Sequence, residues 1–192
     1  KFMFKTLHYA SVVAIVVTVG IICISDEFVP LFFGLGYEKS AVLLKILAFN
    51  VLMSILANYI GQQCLISNDK QNQYNIAISV GAILNVILNL FMVERLQSVG
   101  VSVASVVSSG ALFLVVLIFS REIISLKNII QMDWKAIISA IIMFVTIYWL
   151  SFDNLFITLV VKVVVGAAVY ITILAILREE IIQEVFSNII RQ

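Results

Sequence analysis

Residues 74–110, YNIAISVGAILNVILNLFMVERLQSVGVSVASVVSSG, decide the fold. A first apolar run, 74–93, carries Asn85 and Asn89 in its second half. A break containing Glu94, Arg95 and Gln97 follows, and then a second run, 99–119. The second run is thinned by Gly100, Ser102, Ala104, Ser105, Ser108, Ser109 and Gly110. A bilayer core needs about 20 apolar residues per helix, and each run supplies them. Two adjacent membrane helices follow, one running outward and the other back. Small side chains let the backbones approach closely, which supplies packing energy where lipid offers no hydrophobic drive.

The rest of the chain agrees. Of its 192 residues, 62% are hydrophobic and only 12% charged, and the mean hydropathy is +1.14. That leaves too little polar surface for a water-soluble domain. The class is an all-α, polytopic membrane helix bundle. Transmembrane barrels alternate apolar and polar residues and do not give such unbroken runs. A net charge of +1 gives no electrostatic basis for a nucleic-acid partner.

Six spans are expected over residues 7–25, 40–66, 74–93, 99–119, 134–152 and 155–177. Asp26 and Glu27 are expected to close the first, because carboxylates do not stay in hydrocarbon. Residues 28–37, FVPLFFGLGY, are too short to span, and Pro30, Gly34 and Gly36 break them into a bent interfacial connection. Residues 121–133, REIISLKNIIQMD, place Ile123, Leu126 and Ile130 at helical spacing and predict an amphipathic helix on the membrane surface. A second amphipathic surface helix is expected from Arg178 onward. Trp134 and Trp149 flank the fifth span, where indole rings prefer the headgroup layer. With the N-terminus inside, the inner loops and ends hold eight of the Lys and Arg residues and the outer loops only Lys39 and Arg95. Both ends of the chain are therefore expected to be cytoplasmic. A beginning at Lys1 with no cleavage site reads as the C-terminal piece of a longer chain.

Polar groups inside the spans are the candidate functional residues. Asn85 and Asn89 are four apart and share a helix face. An interhelical hydrogen-bond clamp is expected of at least one of them; a polar stripe lining a transport path is the alternative. Asn50, Asn58 and Gln62 add polarity to the second span. Lys45 lies about 8 Å into its run. It is either an outer-leaflet anchor or a cation facing an anionic group such as a lipid phosphate. Lys162 is expected to snorkel outward. No acidic residue is expected deep in a span, so an ion-coupling carboxylate has to come from elsewhere. Cys23 and Cys64 read as small core hydrophobes, too far apart for a disulfide. No nucleophilic triad, metal-ligand cluster or phosphate loop can be assembled, so neither enzyme activity, cofactor nor metal is expected.

Three stretches carry a resemblance: PLFFGLGYEKSAVLLKILAFN (30–50), IGQQCLISNDKQNQYNIAISVGAILNVILN (60–89) and SVGVSVASVVSSG (98–110). The interfacial FFG, the GAxxNxxxN run and the small-residue helix starting at Gly100 come in the order and spacing of a known family. The chain resembles the polysaccharide flippase branch of the multidrug/oligosaccharidyl-lipid/polysaccharide exporter superfamily. The resemblance implies two bundles of six helices around a central cavity, here the last six spans of a fourteen-helix version. It implies transfer of a polyprenyl-pyrophosphate-linked oligosaccharide across a bacterial cytoplasmic membrane by alternating access. The implied partners are that lipid-linked oligosaccharide, membrane lipids and the missing N-terminal helices. Lys45 would attract the pyrophosphate, while Asn50, Asn58, Asn85 and Asn89 would bond sugar hydroxyls. A multidrug antiporter of the same superfamily and a non-transporting scaffold for glycan assembly are the competing expectations.

Overall fold

A computed structural model describes residues 2–177. The expected surface helix beyond Arg178 lies outside the described residues. Helix α1 is Phe2–Phe33 and α2 is Glu38–Ile60, continued by a π-turn over Gly61–Leu65 and a 3-10 turn over Ile66–Asn68. The segment Gln71–Phe119 is helical except at Gln97, whose φ of 50° and ψ of −131° break it. Its halves are α3 (71–96) and α4 (98–119). Helices α5, Leu126–Tyr148, and α6, Leu155–Ile176, follow.

A continuous helix of 49 residues would be about 73 Å long, more than twice the bilayer core. The chain instead reverses at Gln97. A Cβ built on Gly100 would lie 2.6 Å from the Met92 carbonyl oxygen, and one on Gly81 would lie 3.2 Å from Leu112 Cβ. These contacts are those of two antiparallel helices in a tight hairpin, as residues 74–110 led one to expect. Gln97 holds a backbone conformation that L side chains rarely adopt, with an energetic penalty of roughly 1–3 kcal/mol. Gln97→Gly is expected to relieve it and, after the extra chain entropy of glycine, raise stability by about 1 kcal/mol. A thermal melt in detergent checks this: no rise, or a fall, contradicts a strained turn.

Helix α1 departs from the sequence-based boundaries. It runs unbroken past Ser25, through Asp26, Glu27 and Pro30, to Phe33. At 32 residues it is about 48 Å long, enough for hydrocarbon and headgroups together. The acids do not end it because each is neutralised by a lysine from a neighbouring helix. Pro30 is tolerated one turn before the end, where its missing N–H frees only the Asp26 carbonyl. The turn comes instead at Gly34 (φ +86°) and Gly36 (φ +99°), conformations that glycine adopts without strain. Residues 28–33 are thus the last turns of α1, not a separate interfacial segment.

The amphipathic stretch 121–133 is also corrected. Residues 121–123 form a turn, Ser125 caps the next helix by accepting from the Asn128 N–H, and 126–133 are the first two turns of α5. Asp133, which reads as a surface charge, is 3% exposed and paired with His8 of α1. That pairing lets the helix continue straight into the membrane.

Helix α1 is the centre of the bundle, packed by α2 on one side and by α5 and α6 on the other. One core joins Leu7, Leu56, Ile60, Leu65, Tyr74 and Val116. A second joins Val12, Cys23, Ala140, Met143, Ile147 and Tyr170. Cys64 lies in the first and Cys23 in the second, both buried and free. On the loop side, Lys70 donates to Glu122 at 3.1 Å. That hydrogen bond and the lysine charge hold the Glu122 carboxyl below its ordinary range. The architecture is all-helical and multi-pass: the described residues hold five helical segments long and apolar enough to cross a membrane, the longest of them folded back on itself at Gln97.

Candidate functional site

Helix α3 shows three faces. At about 100° per residue, Tyr74, Ala77 and Gly81 share a buried arc that meets α2 and α4. Ile76, Ile83, Ile87 and Leu90 share a second, uncovered and wholly apolar arc, with Leu90 68% exposed. Asn75, Ser79, Ala82, Asn85 and Asn89 fall within a third arc of about 120°. Asn75, Ser79 and Ala82 on it are exposed, and Asn85 and Asn89 half-buried. The apolar arc suits lipid tails. The third does not, because hydrocarbon cannot satisfy side-chain amides.

Asn85 and Asn89 do not form the expected clamp between helices. The Asn89 Nδ2 donates to the Asn85 Oδ1 at 3.0 Å and to the Asn85 carbonyl at 2.8 Å, both on the same helix. The Asn89 Oδ1 atom is buried without a hydrogen-bond partner among the described residues. The interhelical role belongs to Asn50 and Asn58. The Ser109 Oγ of α4 donates to Asn50 Oδ1 at 2.5 Å, and Ser54 Oγ donates to Ser109 Oγ at 3.3 Å. One level further in, the Tyr74 hydroxyl donates to Asn58 Oδ1 at 2.9 Å. Asn50, Ser54 and Asn58 stand at intervals of four, so one stripe of α2 lines the seam with the α3–α4 hairpin. Gly61 completes that seam: its bare Cα makes room for the Tyr74 ring. Ser54 and Tyr74 went unread in the sequence and Ser109 was read only as a small packing residue, although the four-residue interval made Ser54 recognisable.

The lysines are paired. Lys45 Nζ donates to both carboxylate oxygens of Asp26, at 2.7 and 2.6 Å, with side chains 35% and 64% exposed. It also borders a shallow groove of about 240 Å³ with Ile46, Phe49, Val103, Val106 and Val107. Lys162 does not snorkel. Its ammonium is buried against Glu27 Oε1 at 2.5 Å and the Cys23 carbonyl at 3.3 Å. Consecutive acids on α1 point about 100° apart, so Asp26 reaches α2 and Glu27 reaches α6. Glu27 and Asp133, which the sequence pattern places at the ends of spans, are both enclosed among helices. The five sequence candidates do not converge on one point. Lys45 stands beside Asp26 near the start of α2, Asn50 and exposed Asn58 along the seam with the α3–α4 hairpin, and Asn85 and Asn89, both half-buried, on the third arc of α3. Among the described residues there is no group of side chains that could hold a metal ion.

No family model and no curated protein matches the chain. Among solved structures, the lipid II flippase MurJ, in an inward closed conformation, is similar, with a TM-score of 0.72 at 18% identity. The match covers 94% of this chain and 39% of MurJ, so the chain spans about two fifths of that protein's length. At this identity the likeness is one of fold: the chain has the helix arrangement of part of a membrane flippase.

Proposed function

We propose that the chain is part of a flippase that carries a polyprenyl-pyrophosphate-linked oligosaccharide across a bacterial cytoplasmic membrane by alternating access. In this reading both ends of the chain face the cytoplasm, and further helices of the same transporter stand opposite α3. The observation that carries it is the uncovered amide face of α3 on a bundle with the fold of a lipid-linked-substrate flippase. Such a face needs a hydrated cavity in front of it. Asn85 offers hydrogen bonds there to sugar hydroxyls, and Asn89 does so once its amide exchanges Asn85 for them, while the apolar arc beside them keeps lipid contact. Asn50 and Asn58 contribute by holding the wall together as well as by whatever polarity they present at its edge. Lys45 meets the pyrophosphate once it exchanges Asp26 for it.

The test is export of surface glycan by the intact protein in cells lacking their own polysaccharide flippase. Replacing Asn85 and Asn89 together by leucine is expected to leave the protein folded and lower export about tenfold, the effect of about 1.4 kcal/mol of lost hydrogen bonding. Unchanged export would place the amides against lipid or a static partner. Lys45→Met is expected to lower export on the order of tenfold, whereas Asp26→Asn, which frees the ammonium, is expected to retain it. Normal export by Lys45→Met would remove the lysine from the path. Efflux of cationic dyes in place of glycan export would favour a multidrug antiporter.

A further inference from the structure

The terminal hairpin α5–α6 is joined to α1 by polar contacts at three levels, each buried. At the inner end His8 Nδ1 and Asp133 Oδ1 lie 2.6 Å apart, 6% and 3% exposed. In the next turn the Tyr170 hydroxyl donates to the Val12 carbonyl at 2.9 Å. At the outer end Lys162 is shared between Glu27 and the Cys23 carbonyl. The apolar residues between these levels share one core, with Met143, Ile147 and Leu174 each 2% exposed or less, beside a cavity of about 280 Å³ lined by Gly20, Ile24, Lys162 and Gly166.

We infer that the terminal hairpin is a brace fixed to α1, which travels with α1 as one body, and is not a gate that opens against it. Buried polar contacts are directional and short-ranged, so sliding or splaying by a few ångströms would break all three at once. The carboxylates of Asp133 and Glu27, 4% and 12% exposed, would then lose their bases while still largely enclosed. An apolar helix interface alone lacks that resistance, because lipid tails replace helix contacts with little loss. Two features reinforce the outer contact. Glu27 Oε1 and the Cys23 carbonyl, one turn apart on α1, hold the same ammonium, so the lysine resists both rotation and translation of α6. The next residue of α1, Asp26, is held by α2 through Lys45. The brace is thereby tied through α1 to the helix wall that bears the amide face.

This builds on the transport reading only in expecting that some part of the protein moves. The experiment uses the full-length protein in lipid nanodiscs with spin labels at Phe32→Cys on α1 and Trp149→Cys at the C-terminal cap of α5, both well exposed. Pulsed dipolar spectroscopy is recorded with and without a short-chain polyprenyl pyrophosphate. One narrow distance is expected, unchanged within about 2 Å, the scale that separates rigid from rearranging elements. Lys162→Met and Glu27→Gln are each expected to broaden it. The charge-exchanged pair, Glu27→Lys with Lys162→Glu, is expected to narrow it again and covers the case in which a single variant fails to fold. Two resolved distances in the wild type, or a Lys162→Met distribution as narrow as the wild type, would overturn the inference. None of these readings depends on export, so a failed export assay strikes the flippase proposal and leaves the brace standing.

Discussion

Lys162→Met should lower the stability of the bundle by about 3–5 kcal/mol, the range found when one partner of a buried ion pair is removed. The effect comes from what is left behind. Glu27 would be left between α1 and α6 without its ammonium, and its second oxygen, Oε2, is already buried with no hydrogen-bond partner among the described residues. Glu27→Gln should weaken the bundle through the same contact, since it faces the ammonium with a neutral amide in place of the carboxylate. The double variant, Glu27→Gln with Lys162→Met, should recover most of the loss, because no uncompensated charge then remains. The four proteins form a double-mutant cycle readable by thermal melting in detergent. A single Lys162→Met variant as stable as wild type would show that the pair is wet or exchanges with solvent.

Gly100→Ala should be the second large effect, about 1–3 kcal/mol or more. The new methyl group would sit 2.6 Å from the Met92 carbonyl oxygen and 3.0 Å from Leu96 Cβ. Neither neighbour is the free end of a flexible side chain, so the α3–α4 hairpin itself has to open. Two glycines nearby serve as controls. A methyl group at Gly81 meets Leu112 Cβ at 3.2 Å, where a small shift suffices, and one at Gly110 meets nothing within 4 Å. The order of loss in a melting series should therefore be Gly100, then Gly81. Gly110→Ala should be neutral or slightly stabilising through reduced unfolded-chain entropy. Equal effects at all three positions would mean that helix propensity, not the reversal, governs the response.

The crossings were legible because hydrophobic runs of bilayer length have few alternative uses, and the hairpin over residues 74–110 was legible from its small residues. The ends of α1 and α5 were not. A sequence window scores Asp26, Glu27 and Asp133 as breaks, since it charges each acid its full desolvation penalty. The structure supplies Lys45, Lys162 and His8 from positions 19, 135 and 125 residues away. Long-range neutralisation of this kind leaves no local trace. The amide face was half legible. The interval of four put Asn85 and Asn89 on one side of α3. It could not say whether a helix covered that side, and the structure leaves it open. Asn50 and Asn58 had the same signal and a different fate: each accepts from a neighbouring helix, Asn50 from Ser109 and Asn58 from Tyr74, with Asn50 half-buried and Asn58 still exposed.

The adjacent acids of α1 also make the helix a ruler with a preferred direction of error. Each residue inserted upstream turns the outer end of α1 by about 100° and advances it by about 1.5 Å. One extra residue would bring Asp26 into the place of Glu27, still opposite Lys162, and leave Ser25 before Lys45. The buried lysine would keep a carboxylate, though a shorter one, and the exposed lysine would lose its partner to water. One residue fewer would set Phe28 against Lys162 and strand that charge among helices. Chains of this architecture are therefore expected to lengthen α1 more readily than they shorten it.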